Sequence, residues 1–313
     1  MKATIAILLA TYNGGRFLQP LLDSLFAQTE QDWQLLVSDD GSTDDTLALL
    51  EACRAAHPGR VCLLPRREGK GGSKGNFLYL TRCAADYPYL MYCDQDDVWK
   101  PDKIARTLAK MREVEDGRPD VPCLVHTDLA VVNADLSLRH ESFFRSSWLD
   151  CRRCGLHQLL IQNIVTGCTM MINASLRQLA LLPMEEEDML MHDWWIALLA
   201  AGLGRIGFLP EQTILYRQHG GNVVGAKEVR SLRYMAGWTR RLAGNRQSLV
   251  NTQRQAAALE RAAGALLSPG QRRMVQAYAR IGQKGKLGRL LVVARYGIWL
   301  TGWKRRIGEI LLI

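Results

Sequence analysis

The first hundred residues alternate short, almost wholly apolar runs with longer segments of helical spacing, and few folds accommodate that pattern. Thr4 to Leu9, Trp33 to Val37, Val61 to Leu64 and Tyr89 to Tyr92 are rich in aliphatic side chains. Such short, nearly continuous apolar runs suit strands covered on both faces. Between them, Thr43 to Ala56 reads as a helix capped by Ser42 with Asp45 near its start, and Pro101 opens a helix running to about Glu115. Strands and helices in alternation predict an α/β layer fold with a mostly parallel sheet.

From Pro122 to about Gln218 the pattern changes. Strands such as Cys123 to Val125 and Thr169 to Ile172 mix with shorter helices, of which Asp193 to Ala201 is the clearest, and a mixed extension of the sheet is expected. Beyond Gly225, Ala, Leu, Arg and Gln replace the β-branched residues, with breaks at Ser268-Pro269-Gly270 and at Gly282, Gly285 and Gly288, which predicts two or three helices.

Charge follows the same division. Of 313 residues, those from Ala226 onward carry 18 Lys or Arg against 3 Glu, whereas the first 225 carry 22 basic and 28 acidic groups. The expected organisation is therefore a domain over 1–225 and a basic helical region over 226–313 with a separate task. No apolar run approaches the roughly 18–20 residues that span a bilayer. The eight cysteines are scattered, no signal-peptide layout is present, and a cytosolic chain with reduced thiols is expected. Cys151-Arg-Arg-Cys154 has two-ligand spacing for zinc but no matching second pair.

The strongest local signal is Tyr92-Cys93-Asp94-Gln95-Asp96-Asp97-Val98-Trp99, at the end of an expected buried strand. Ligand crevices of open α/β sheets form at that end. Three carboxylates in four positions repel one another unless they share a hard divalent cation; an exposed acidic turn would show the same letters. Asp39-Asp40, followed by Gly41-Ser42-Thr43-Asp44, ends another strand, and Ala10-Thr11-Tyr12-Asn13-Gly14-Gly15 follows the first. Neither a G-x-G-x-x-G nor a G-x-x-x-x-G-K-[ST] pattern occurs there, which disfavours a dinucleotide-dependent dehydrogenase or a P-loop ATPase. Gly69 to Gly75, with Lys70 and Lys74, could fold over a diphosphate or be a plain surface loop, and Arg66 and Arg67 share that ambiguity.

With these pieces in order, the chain resembles family 2 of the glycosyltransferases, which share the GT-A fold. The resemblance rests on Ala10 to Asn13, Ser38 to Asp44, Gly75-Asn76-Phe77, Asp94 to Trp99, His192-Asp193-Trp194-Trp195 and Tyr216-Arg217-Gln218-His219, and covers about residues 3–225. The wording around Asp94 and His192 is most similar to bacterial rhamnosyltransferase-like members.

The resemblance implies a GT-A domain, a Rossmann-like mixed sheet flanked by helices, followed by the C-terminal basic helical extension. It implies that Thr11, Tyr12, Asn13, Asp39, Asp40, Lys74, Asn76, Asp94 and Gln95 line the nucleotide-sugar site, with Asp39 the candidate for bonding the base. Asp94 and Asp96 would be the family's D-x-D motif and, with His219, would hold Mg2+ or Mn2+; a structural role for His219 stays open. Asp193 is the candidate general base of an inverting displacement, although it could equally be a helix-start carboxylate. The family often has Glu-Asp where this chain has His192-Asp193. Trp194 and Trp195 would stack on acceptor sugars or belong to the core.

From Leu287 to Ile313, apolar residues and tryptophans interleave with Arg289, Arg295, Lys304, Arg305 and Arg306. Such a segment suits an anionic membrane surface, or a packing helix that covers the domain or a second subunit of a homo-oligomer. Nothing beyond charge suggests nucleic acid. The expected activity is transfer of a sugar, L-rhamnose first, from dTDP-rhamnose or a UDP-sugar to a lipid-linked bacterial surface glycan at the inner face of the cell membrane. A non-catalytic sugar-nucleotide-binding module and a nucleotidyltransferase are the rivals; the latter should carry a basic glycine-rich loop where Thr11 to Gly15 stand.

Overall fold

The computed structural model describes residues 3–68, 71–219 and 238–313, with the side chains of 238–245, 303, 304 and 311 left aside. Gly69 and Lys70 of the glycine-rich segment, and residues 226–237 of the basic region, lie outside the described residues.

One mixed sheet organises the first compact unit, which draws on the described residues within Met1–Phe143, Val165–Leu181 and Arg205–Gly225. Its strands are β1 (Ile5–Thr11), β2 (Trp33–Asp39), β3 (Val61–Leu63), β4 (Tyr89–Asp94), β5 (Val98–Trp99), β6 (Cys123–Val132), β7 (Leu138–His140), β8 (Met171–Asn173) and β9 (Arg205–Arg217), in the order β3-β2-β1-β4-β8-β6-β9-β5, with β7 on β6. The first four strands named in that order run parallel, as their apolar runs predict. Polarity then reverses: β8 is antiparallel to both β4 and β6, while β6 and β9 are parallel.

Register decides where chemistry collects. Thr11 pairs with Asp39, and Ala10 with Asp94, so the carboxyl ends of β1, β2 and β4 finish side by side. Ile5 to Leu9, Leu35 to Val37 and Leu90 to Cys93 are buried below those ends. Helix α1 (Gly15–Phe26) turns Leu18, Leu21, Leu22 and Leu25 inward, and α2 (Thr46–Ala56), α3 (Ser73–Cys83) and α4 (Lys103–Glu115) complete the first βα units. Helix α2 begins later than its sequence suggests. Asp45, not Ser42, is its N-cap, because the Ser42 hydroxyl donates instead to Asp39 at 2.6 Å.

The second unit gathers described residues within Phe144–Ile164, Leu182–Gly204 and Ala226–Ile313. The basic C-terminal helices therefore share a core with two earlier segments, including the helix that begins at His192. After the one-turn helices α5 (Phe143–Ser146) and α6 (Leu156–Leu159), and α7 (Ala174–Ala180) of the first unit, come α8 (His192–Leu203), α9 (Trp238–Ala263), α10 (Pro269–Ala279), α11 (Lys286–Tyr296) and α12 (Trp303–Leu312). Helix α8 is apolar nearly all round, with Trp195, Ile196, Leu198 and Leu199 buried. Such a helix must be covered on most sides. Helix α10 starts where the sequence breaks: Ser268 caps it with Gln271 as its capping-box partner and Pro269 in the first turn. The Gln271 side chain also donates to the carbonyl of Gly202 at 3.1 Å, tying α10 to the end of α8. No helix among the described residues is long and apolar enough to cross a membrane.

Candidate active site

Three loops meet at the carboxyl ends of β1, β2 and β4, and hydrogen bonds knit them together. Asp39 sits at the centre. Its Oδ1 accepts the N–H groups of Gly41 at 2.9 Å and Ser42 at 2.7 Å, and its Oδ2 accepts the hydroxyls of Thr11 at 2.7 Å and Ser42 at 2.6 Å. A carboxylate offers about four lone-pair sites, and all are taken from within the loops. In this structure the Asp39 side chain builds the loop, and Thr11, buried beside it, does the same. Gly41 (φ +95) needs the freedom of glycine, since a Cβ there would lie 2.6 Å from the Arg66 guanidinium, which leans over the turn.

Asn13, held at φ +47, carries the first loop onto the second. Its N–H donates to the Ser42 hydroxyl at 2.8 Å and its Oδ1 accepts the Thr43 N–H at 2.8 Å. The N–H groups of Gly14 and Gly15 continue the seam to the Thr46 hydroxyl and to Asp44. The Thr46 hydroxyl, with backbone N–H groups, holds the Asp44 carboxyl below its usual range. Gln95 fastens the third loop to the first: its Oε1 accepts the Tyr12 N–H at 2.8 Å, and its Nε2 donates to the Tyr12 carbonyl at 2.9 Å. A Cβ at Gly14 would come within 2.3 Å of that amide, so glycine there lets Gln95 reach Tyr12. The Tyr12 ring itself is left 59% exposed.

Asn76 is also structural. It is buried and donates to the Ser38 carbonyl at 2.9 Å, fixing the end of β2. Asp40 accepts the N–H of Gly72 at 2.5 Å, so the glycine-rich segment lies against the second loop just before Lys74, in the first turn of α3.

Asp96 and His219 come together from positions 123 residues apart: Nε2 lies 2.7 Å from Oδ2, with the two side chains 14% and 20% exposed. Two devices place them. Arg217, buried, donates from Nε to the Asp96 carbonyl at 2.8 Å and from Nη1 to the carbonyl of Ala134, and its own N–H donates to Asp97 Oδ1 at 3.1 Å. Phe17 of α1 then packs between the Arg217 guanidinium, 4.7 Å from its centroid, and the His219 ring at 4.6 Å. A carboxylate oxygen and an imidazole nitrogen at this separation, part-exposed, are a donor set that fits a divalent first-row ion.

A second grouping lies deeper. Asp94, Asp97 and Cys168 each bring one ligand atom within 4.8 Å of the others. Burial pushes the Asp97 carboxyl well up, with Asp96 and Asp94 adding to the rise, and burial pushes the Cys168 thiol up as well. Asp97 and Cys168 are buried and form the floor, and Asp94 stands half-buried at their edge. Lys103, fully buried, points its ammonium at the Trp99 ring from 4.6 Å, and burial lowers its pKa to about 8. Sequence reasoning missed Gln95 as a loop clamp, Arg217 as a strut and Lys103 as a buried cation.

In the second unit, Asp193 opens α8. Its Oδ1 accepts the Asn163 side chain at 3.2 Å and the Trp194 N–H at 2.6 Å. The Trp194 indole N–H donates to the Leu159 carbonyl at 2.6 Å, leaving the ring half-buried. Trp195, expected at the acceptor, is fully buried and has no face for a sugar, so it belongs to the core. His192 is buried too, and burial lowers its pKa to about 3, which keeps it neutral.

Residues 6–144 match the family model described as "Glycosyl transferase family 2". Residues 6–144 therefore form a family 2 glycosyltransferase domain. Among curated proteins it is 26% identical to "dTDP-rhamnosyl transferase RfbG" of Shigella flexneri over 230 residues, 70% of this chain and 74% of the relative. Among solved structures it is similar to TarS of S. aureus in complex with UDP-GlcNAc, with a TM-score of 0.53 at 17% identity over 95% of this chain and 93% of that one. It is also similar to the mannosyltransferase PcManGT from Pyrobaculum calidifontis in complex with GDP-Man and Mn2+, with a TM-score of 0.55 at 17% identity over 94% and 74%. At these identities the structural likeness concerns the fold, which is GT-A. The glycosyltransferase's three knitted loops lie where α/β sheets bind ligands.

Proposed function

We propose that this glycosyltransferase moves a sugar, L-rhamnose first, from a nucleoside diphosphate donor to a hydroxyl of a growing, lipid-linked bacterial surface glycan, with inversion at the anomeric carbon. The observation that carries the reading is the Asp96–His219 pair at the end of β4, flanked by loops tied to one another and by the exposed Tyr12 ring. Rhamnose is favoured by the relative that is named a dTDP-rhamnosyl transferase and aligns over most of its length.

In this reading Asp96 and His219, with Asp94 beside them, hold Mg2+ or Mn2+, as the mannosyltransferase structure contains Mn2+. When bound, the ion neutralises the diphosphate as it leaves. The chain supplies the rest. Tyr12 offers its ring to the base, Asp40 and the backbone after Gly71 border the diphosphate, and Lys74 adds a cation near it. Asp193 takes the proton of the attacking acceptor hydroxyl, its carboxylate oriented by Asn163 and by the Trp194 N–H. Trp194 borders the acceptor. The reaction takes place at the inner face of the cell membrane, where an anionic surface presents the acceptor.

The test is release of nucleoside diphosphate and acceptor mass gain, measured across a panel of donors with Mn2+. Turnover with one donor, dTDP-rhamnose foremost, is expected. Asp193→Asn should keep donor affinity and reduce kcat at least about a hundredfold, the lower range for losing a general base. Binding without turnover for every donor and acceptor would instead make the chain a sugar-nucleotide-binding module, and near-normal turnover by Asp193→Asn would remove Asp193 from its role.

A further inference from the structure

The C-terminal helices bury one face and leave the other to solvent. On α11, Val292 and Val293 are buried, whereas Leu287 is 79% and Leu291 70% exposed, one turn apart on the same face. On α12, Glu309 is buried and accepts the Leu300 N–H at 2.9 Å, while Ile307 and Ile310 are exposed. A third apolar group joins them. Trp148 is 61% exposed, with its backbone in the left-handed region at φ +54, a conformation that bulky residues rarely adopt and that calls for a functional reason. Hydrogen bonds connect the three sites: Arg305 of α12 donates to the carbonyl of Ser147 at 3.0 Å, and Arg289 of α11 donates to that of Ile313 at 3.2 Å.

The exposed charge along α11 and α12 has one sign. From Lys284 to Ile313 the only acidic residue is Glu309, which is buried, whereas Lys284, Lys286, Arg295 and Arg306 are exposed. We propose that Leu287, Leu291, Ile307, Ile310 and Trp148, with the surrounding Lys and Arg, form a docking surface for an anionic lipid bilayer. Exposed leucines beside uncompensated cations match what a charged interface offers: headgroup anions for the cations and acyl chains for the apolar tips. A second copy is a poorer occupant, because two such surfaces would bring like charges together. The proposal rests on the glycosyl-transfer reading only in that the membrane would present the acceptor lipid. The two sequence alternatives, packing and membrane binding, thus fall to opposite faces of the same helices.

The test uses the full chain in flotation with phosphatidylglycerol or phosphatidylcholine vesicles, with donor turnover on a soluble acceptor measured in parallel without vesicles. Binding to phosphatidylglycerol is expected, weakening as salt rises, with little binding to phosphatidylcholine. The double variant Leu287→Asp with Leu291→Asp should lower the partition coefficient by about tenfold or more, since each leucine lost from an apolar contact counts. Its melting temperature and turnover should stay unchanged. Leu287→Ser with Leu291→Ser gives a milder loss and guards against misfolding of the first variant. Failure to bind anionic vesicles, or equal binding by wild type and variants, overturns the proposal; with turnover intact, either outcome spares the reaction. A wild-type dimer that the aspartate variant converts to a monomer also overturns it, by giving the surface to a second copy.

Discussion

Replacing Asp39 separates loop building from base recognition. Its four acceptor positions serve two backbone N–H groups and two hydroxyls. In Asp39→Asn the amide oxygen can face Gly41 and Ser42, while the hydroxyls of Thr11 and Ser42 rotate to accept from the new NH2. What is lost is the charge on the acceptor. A hydrogen bond to a charged group contributes about 1.5–3 kcal/mol and a neutral one about 0.5–1.5 kcal/mol, so the two backbone bonds together lose about 2 kcal/mol. Asp39→Ala leaves the same donors to water in a half-buried turn, at a cost of about 3–4 kcal/mol. At about 2 °C per kcal/mol for a chain of this size, melting should fall by about 4 °C for asparagine and about 7 °C for alanine. Donor affinity, measured by calorimetry, should change less than about threefold in Asp39→Asn and by about tenfold or more in Asp39→Ala, a factor of ten being about 1.4 kcal/mol. If Asp39→Asn lost as much donor affinity as Asp39→Ala while melting like the wild type, the carboxylate would be reading the base and the loop argument would be refuted.

Arg217→Met removes two bonds from a buried guanidinium to the carbonyls of Asp96 and Ala134 and should destabilise by about 3–5 kcal/mol. It should also weaken Mn2+ affinity by about tenfold, seen by titration; unchanged Mn2+ affinity in a folded variant would make Arg217 structural only. His126 is fully buried against Phe208, and burial lowers its pKa to about 3. The unfolded chain therefore binds a proton that the folded one refuses between about pH 6.5 and 3, so this residue contributes stability at neutral pH that is lost as pH falls through that window. Asp97 and Glu309, whose carboxyls burial pushes up, oppose it, so the comparison must be with a variant. Relative to wild type, His126→Phe should gain about 2 kcal/mol of unfolding free energy between pH 7 and pH 5, from about 1.4 kcal/mol per pH unit below 6.5. Parallel pH profiles in denaturant titrations would count against a neutral buried imidazole.

The parallel half of the sheet was legible because its strands are continuous apolar runs, and the acidic ends of β2 and β4 could be located from where those runs stop. The rest was hidden for physical reasons. Ser42 and Asp45 both suit a cap, and only the folded turn reveals that the Ser42 hydroxyl is committed to Asp39. Strand β5 has two residues and β7 three, too few for any periodicity, while β9 runs through Pro210 and Glu211. Asp96 and His219 are paired by the fold, and from sequence only the family resemblance linked them. Lys103 at a helix start reads as solvated, and its burial follows from Trp99 and the floor formed by Asp97 and Cys168. Trp195 follows an acidic helix start, which looks like a sugar platform until α8 is seen to be apolar on nearly every side. The second unit is assembled from three separated segments, and no local pattern announces that the basic tail shares a core with them.

In the proposed reaction Asp96 and His219 hold a divalent ion through which a nucleoside diphosphate sugar is bound. Calorimetric titration of dTDP-rhamnose into wild type and Asp96→Ala, each with Mn2+ and with chelator, tests it most directly. Saturable binding by wild type with Mn2+ is expected, with none in the other three conditions. Donor binding of equal affinity in chelator, or in Asp96→Ala, would contradict it.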